Sequence, residues 1–216
     1  MTVPELRTER LLLRGWLPRD REPFAALNAD PDVAEFLGGV RDRAASDALA
    51  DAAEAQWSRH GFGLWALERL EDGRFIGFTG LSRPSFEAPF QPAVEVGWRL
   101  AREAWGQGFA TEAASAALVF AFETLGLEQI VSFTALGNVR SRAVMERLGM
   151  RRDPADDFDH PRLPVDHPLR QHVLYRLSRA DWERRRDERS SGSAGPPASG
   201  QEARVDLGQR RAPEQR

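Results

Sequence analysis

The chain has 216 residues, with 33 acidic against 30 basic side chains and no cysteine, which bounds it to one sizeable domain without disulfides, zinc thiolates or a cysteine nucleophile. A net charge of −3 leaves no basic footprint for nucleic acid, and every basic residue is arginine, so the protein has no lysine of its own to be modified. The opening Met1-Thr2-Val3-Pro4-Glu5 lacks a charged-then-apolar leader, and no apolar run approaches the roughly 20 residues of a membrane span, so the expected compartment is the cytoplasm, away from the membrane. In chain order, residues 10–16 read as a strand and 18–28 as a helix opened by Pro18. A second helix is expected over 46–60, where Leu49, Ala53 and Trp57 repeat at four-residue spacing. Residues 64–68 and 75–81 read as an antiparallel hairpin around the turn Glu71-Asp72-Gly73.

The stretch 93–100 is the next strand, with Val94, Val96, Trp98 and Leu100 on one face and Glu95, Gly97 and Arg99 on the other. Gly97 inside it predicts a bulge or a close ligand approach. Directly after comes Trp105-Gly106-Gln107-Gly108-Phe109-Ala110-Thr111-Glu112-Ala113, opening a helix of small residues expected over 111–125 and stopped by Gly126. A helix start offers unpaired N–H groups and a positive dipole end, and glycine lets an anion approach that backbone. An ordinary tight turn is the competing reading. The stretch lacks the Gly-Lys-Ser/Thr of a P-loop and the third glycine of a dinucleotide fingerprint.

Residues 129–134 form a further strand, Asn138 caps a helix over 139–148 stopped by Gly149, and a last strand over 172–178 leads into a helix over 180–189. The domain is expected to span 1–189. Beyond it, 190–216 carries only Val205 and Leu207 as large aliphatics and is expected to be a disordered tail.

This order of elements resembles the GNAT superfamily of N-acetyltransferases. Gly61-Phe62-Gly63-Leu64-Trp65, Gly77-Phe78-Thr79-Gly80-Leu81, Glu95-Val96-Gly97-Trp98, the 105–113 stretch and Asn138-Val139-Arg140-Ser141 are similar to its RimJ/RimL branch, over about residues 7–180. The resemblance implies a mixed α/β fold: a mostly antiparallel sheet, helices on both faces, and a splayed central strand pair holding the cofactor. It implies acetyl-CoA as co-substrate and no metal. The family's pyrophosphate motif falls on Trp105, Gly108 and Ala110, with Trp105 replacing the usual basic or glutamine residue. The implied cofactor contacts are Trp98, Arg99, Leu100, Trp105, Gly106, Gln107, Gly108, Phe109, Ala110, Thr111 and Asn138.

Each chemical candidate has a plain structural alternative. Asn138 is an N-cap and, by resemblance, a contact to the coenzyme A arm. Ser141 is a solvated hydroxyl or, by resemblance, lies near the thiol. Glu95 is paired with Arg99 on the same face or, by resemblance, is the general base or a water-holding carboxylate. Glu112 complements its helix dipole, and Glu68 is a spare base candidate at a strand end. His60, His160, His167 and His172 lack metal-site spacing. The proline-bearing segment 153–171 reads as a long loop; by resemblance it borders the acceptor pocket, where Asp157, Asp159 and His160 would hold a cationic substrate, and the alternative is that they simply form turns.

Direct attack by an amine on a thioester needs no enzyme nucleophile. A backbone N–H around 98–100 polarises the carbonyl, Ser141 protonates the leaving thiolate, and Glu95 takes the amine proton. An α-amine costs only about 1 to 1.4 kcal/mol to deprotonate at pH 7, against roughly 4.6 for a lysine, so a protein N-terminal acceptor tolerates a weak base. A small amine (antibiotic, polyamine or amino acid) is the alternative acceptor, a coenzyme A-binding sensor without turnover the alternative function, and a monomer or homodimer the expected assembly.

Overall fold

A computed structural model describes residues 2–192. The apolar runs pair as strands β1 (Leu6–Arg7), β2 (Leu11–Arg14), β3 (Leu64–Arg69), β4 (Phe75–Ser82), β5 (Glu95–Leu100), β6 (Gln129–Ala135), β7 (Arg151–Arg152), β8 (Phe158–Asp159) and β9 (Gln171–Ser178). One sheet results, in the order β1-β2-β3-β4-β5-β6-β9-β7, with β8 paired onto β9. Every pairing is antiparallel except β5 with β6. The helices are α1 (Arg21–Ala29), α2 (Pro31–Ala34), α3 (Arg43–His60), α4 (Phe109–Val119), α5 (Val139–Leu148) and α6 (Arg179–Gly192). The expected mixed, mostly antiparallel α/β architecture is the one adopted. None of the described helices is long and apolar enough to cross a membrane.

The parallel pair positions the site. Glu95 opposite Val131 is its one register pair, with the Val131 N–H donating to the Val94 carbonyl at 3.0 Å; past that point the strands part. On one face, Val96 and Leu100 of β5 share a core with Ala113, Ala114 and Ala117 of α4. Those three alanines are fully buried, and their small side chains let the helix lie close to the sheet. On the other face, Phe24 and Leu27 of α1 pack with Phe75 and Phe78 of β4. A third cluster joins Phe90, Val131 and Leu174 with Phe86, Phe133 and Phe158 beside β6 and β9.

Several boundaries differ from expectation for local reasons. The helix expected over 18–28 opens as a tight 3₁₀ turn at Pro18–Asp20 before α1 begins. α3 starts three residues ahead of the expected position because the Asp42 carboxylate accepts the Ala45 N–H at 2.8 Å. The helix expected over 111–125 starts at Phe109 and ends in a widened π turn over Phe120–Thr124. α6 runs to Gly192, and the tail expected to be disordered falls, from residue 193, outside the described residues. The bulge expected at Gly97 is absent: register runs unbroken from Gly77 opposite Leu100 to Ser82 opposite Glu95, and the irregularity lies between Leu67 and Glu68. Gly77 and Gly80 are glycines the sheet requires: with φ of 137° and 156°, an added Cβ would meet the Arg99 carbonyl oxygen at 2.2 Å and the Gly63 carbonyl oxygen at 2.3 Å. Segment 153–171 is not all loop, since it holds a 3₁₀ turn at Pro154–Asp156 and the short strand β8.

Candidate active site

A cavity of about 680 Å³ opens where β5 and β6 part. Its walls include Trp98, Arg99 and Leu100 of β5, then Trp105, Gly106 and Gly108 of the turn, Phe109, Ala110 and Thr111 of α4, and Asn138 and Ser141 at the start of α5. Beyond Glu95, the β6-facing edge of β5 has no strand partner, so its backbone is available to the cavity.

The start of α4 is the distinctive wall. Gly106 and Gly108 have φ of 73° and 84°, a left-handed backbone that glycine adopts without steric cost. Gly108 is the N-cap, and no side chain caps this end. The free N–H groups and the dipole of the first turn therefore face the cavity without an internal acceptor. Such an end beside a glycine turn fits the pyrophosphate of coenzyme A. α5 provides the contrast: its N-cap Asn138 accepts the Ser141 N–H through Oδ1 at 3.2 Å and donates from Nδ2 to the Thr134 hydroxyl at 3.0 Å. The capping reading of Asn138 is therefore realised while the same residue lines the cavity.

Glu112 does more than complement a dipole. It accepts from the Thr8 hydroxyl at 2.7 Å, from the Arg10 N–H at 2.9 Å and from Arg10 Nε at 2.7 Å, tying the first turn of α4 to the start of β2. Burial works against its charge, but these donors hold the carboxyl below its ordinary range. Arg10 also reaches the Gln107 carbonyl at 2.9 Å and so clamps the glycine turn from outside. Gln107 itself turns away, its amide donating to the Glu103 carbonyl at 2.8 Å, and it is not part of the cavity wall.

Trp105 stands where the family motif carries a basic or glutamine residue. Its indole N–H donates to the Leu100 carbonyl at 2.9 Å, and the guanidinium of Arg140 lies 4.6 Å from its ring centre. The ring thus holds a cation at the cavity that its own side chain lacks. Arg140 and Arg147, both in the wall, were not singled out from the sequence. Their seven-residue spacing on α5, which puts them on one helix face, was the available signal.

Glu95 and Arg99 lie on the other face of β5 and do not pair. The Ser82 hydroxyl donates to Glu95 Oε2 at 3.3 Å, while Arg99 Nη1 donates to Asn28 Oδ1 at 2.5 Å. Glu95 keeps a solvent-accessible edge. Burial nevertheless pushes its carboxyl up to about 7, with the Ser82 bond opposing the rise. Glu95 is not in the cavity wall; it sits at the splay point, opposite Val131. Glu68, the spare base, is committed elsewhere, accepting from Arg14 at 2.8 Å and Arg19 at 3.0 Å beside the buried Arg14–Asp20 pair.

The segment after α5 does not bring its candidates to the cavity. Asp157 accepts from Arg152 Nε at 3.0 Å and Asp159 from Arg170 Nε at 3.1 Å, so both carboxylates are neutralised within the chain. His160 packs among aromatic rings, 4.6 Å from Phe86 and 4.9 Å from His172. Burial lowers the affinity of both histidines for a proton, which makes this corner neutral and apolar. The His160–His172 approach was not legible from their spacing. Among the described residues, no group of three or more His, Asp or Glu is placed to hold a metal.

The one parallel pair of the sheet splays beside an uncapped, glycine-turned helix start, an arrangement suited to holding a phosphate-bearing ligand. The family model described as acetyltransferase (GNAT) domain matches residues 10–151, and the chain belongs to that family. Among its curated relatives is the FsC-acetyl coenzyme A-N(2)-transacetylase of Aspergillus fumigatus, 30% identical over 190 residues that cover 84% of this chain and 79% of the relative. Another is YdaF of Bacillus subtilis, named as a candidate ribosomal N-acetyltransferase, 28% identical over 180 residues that cover 81% of this chain and 94% of the relative. A solved acetyltransferase from Agrobacterium tumefaciens is 33% identical, with a TM-score of 0.66, over 82% of this chain and 95% of that one. The likeness to YdaF agrees with the expected RimJ/RimL-like branch. Acetyl-CoA-dependent acetylation of an amine is the general activity of the family, and this chain is an N-acetyltransferase by membership.

Proposed function

We propose that the chain acetylates a primary α-amine, such as a protein N-terminus, by direct attack of the amine on the thioester of acetyl-CoA. The observation that carries this reading is the uncapped α4 start opening onto the cavity beside the splayed strands. Acetyl-CoA supplies an activated acyl group with a thiolate to leave. Backbone N–H groups of 108–111 take the pyrophosphate, and Arg147 adds positive charge along the same wall, where Arg140 is paired with Glu35 at 2.6 Å. An N–H on the unpaired edge of β5 around Trp98 polarises the thioester carbonyl.

Glu95 serves as base. With a pKa of about 7 it is half ionised at neutral pH, which balances availability against proton affinity. It receives the amine proton directly or through one water and returns it to solvent, while the hydroxyl of Ser141, in the wall, donates to the departing thiolate and regains its proton from solvent in the same step, so that coenzyme A leaves as the free thiol. Thiol release from acetyl-CoA across a panel of N-terminal peptides and small amines tests this directly. The reading requires turnover with at least one α-amine. Tight acetyl-CoA binding with no acceptor consumed would instead fit the sensor alternative.

A further inference from the structure

Several carboxylates are matched to arginines: Arg10 with Glu112, Arg14 with Asp20, Arg152 with Asp157, Arg176 with Asp156. Arg99 and Arg41 are among the half-buried arginines outside such pairs, and these two lie close enough for each to feel the other's charge. Arg99 is half-buried, and its partners are neutral: the Asn28 side-chain oxygen, and the ring of Phe78 at 5.3 Å. Asn28 is buried and held in turn by the Ser46 hydroxyl, 2.8 Å from its Nδ2, so its oxygen is fixed toward Arg99. Arg41, in the connection between α2 and α3, is half-buried too; its N–H donates to the Asn28 carbonyl at 2.9 Å. The two arginines thus meet around one asparagine. The Arg41 Nε is buried with no hydrogen-bond partner. Neither guanidinium is in an ion pair with a described residue. Burial, then the nearby charge of Arg41, brings Arg99 down to about 10.

Unpaired charge held out of water is costly, and two like charges together cost more. A ligand anion would relieve both terms. The position decides which anion. Arg99 lies four residues from Glu95 on the same face of β5, about 13 Å along the strand, a gap that the two side chains and a molecule the size of an amino acid or dipeptide span. The amine that loses its proton to Glu95 would therefore belong to the molecule whose acid group meets the arginines. A guanidinium presents a planar fork of donors that matches a carboxylate. Asp157 and Asp159, the carboxylates expected to hold a cationic acceptor, are already neutralised.

We propose that the acceptor carries a carboxylate and that Arg99 and Arg41 bind it, orienting the amine toward Glu95. This rests on the acetyl-transfer reading above for the amine's position. It makes the acceptor an amino acid or a peptide with an acidic residue near its N-terminus.

Calorimetric titration in the presence of coenzyme A tests the proposal without turnover. Two matched probe pairs separate the sources: serine against serinamide, and the tripeptide amide serine–glutamate–alanine against serine–glutamine–alanine. In at least one pair, the carboxylate member should bind about tenfold to a hundredfold tighter, the range expected of charge-assisted hydrogen bonds. That ratio should fall to within about twofold of unity in Arg99→Gln and in Arg41→Gln, and Arg99→Lys should restore part of it. Should Arg99→Gln fail to melt cooperatively, Arg41→Gln, on a connecting segment, decides the matter. Equal binding within both pairs, no binding of any probe, or a preference surviving both substitutions would overturn the proposal. Thiol release measured in parallel separates the two readings: turnover without carboxylate preference leaves acetyl transfer standing and removes this inference. Carboxylate-selective binding without turnover leaves the two arginines as a carboxylate site and removes both acetyl transfer and the placement of the amine at Glu95.

Discussion

The two faces of β5 are built by opposite means. Toward α4, the part of the cavity wall suited to an anion is backbone: two left-handed glycines and an uncapped helix start, with a strand edge released by the splay beside them. On the other face, the chemistry rests on side chains whose states are set by burial: Glu95 with its carboxyl raised to about 7, Arg99 and Arg41 without an ion pair among the described residues, and two histidines with weakened proton affinity. A backbone site depends on conformation, so a single substitution that forbids the conformation removes it. A side-chain site depends on charge state, so its members should fail one at a time and with pH.

The largest expected effect is on the backbone side. Gly108→Val asks a β-branched residue to adopt φ 84°, and a folded variant should lose measurable acetyl-CoA binding by calorimetry. The surroundings would not prevent folding, since the nearest atom to a new Cβ is Arg10 Nη2 at 3.4 Å. Wild-type protein should gain about 2.7 kcal/mol of stability from acetyl-CoA at 100-fold excess over Kd, and this gain should vanish in the variant. Retained affinity would show that the turn is only a turn.

Ser141→Ala should lower kcat by about 10²-fold, the low end for acid–base groups, with acetyl-CoA affinity held. Because protonation of the thiolate does not depend on the acceptor's ionisation, the loss should persist from pH 6 to 9. Wild-type kcat would leave the hydroxyl a passive part of the wall. Asn138→Ala removes a cap of about 1 kcal/mol and should lower the melting temperature while weakening cofactor binding. An unchanged melting curve would mean that Ser141 finds another acceptor for its N–H.

A separate effect, read in stability and not in turnover, is a linkage effect on the side-chain face. The carboxyl of Glu95 has a folded pKa of about 7 against 4.5 for an ordinary glutamate, so between these values the folded state binds more protons than the unfolded one. Its charge therefore weighs against folding increasingly as pH rises from about 4.5 to 7, and fully above 7. Glu95→Gln should match wild-type stability near pH 4 and exceed it at pH 8, read as melting temperature against pH. Equal curves throughout would mean that the carboxyl is solvated.

The same contrast explains what was legible in the sequence. Gly106 and Gly108 between a strand and an alanine-rich helix marked the cavity because glycine spacing and helix starts are local signals, and Asn138 was readable as a cap for the same reason. The other face depends on partners far apart in sequence. Glu95 to Arg99 looked like a pair because both share a strand face, yet Asn28 of α1 takes Arg99 and Ser82 of β4 takes Glu95. His160 and His172 approach through the pairing of Phe158 with His172 across β8 and β9, a strand too short to carry a periodic signal. Asp42 lay in plain view as an N-cap, but the apolar stripe that marked α3 begins later, which hid the first turn.

The pH dependence of kcat/KM for an α-amine acceptor, in wild type and in Glu95→Gln, tests the central claim most directly. With Glu95 as base, the wild-type profile should rise through a limb near pH 7, and Glu95→Gln should lose that limb, keeping only the rise near 7.7 to 8.0 at which an α-amine deprotonates itself. The deficit of the variant should shrink as pH increases. Superimposable profiles of equal height would contradict the account, leaving positioning and carbonyl polarisation as the whole of the catalysis.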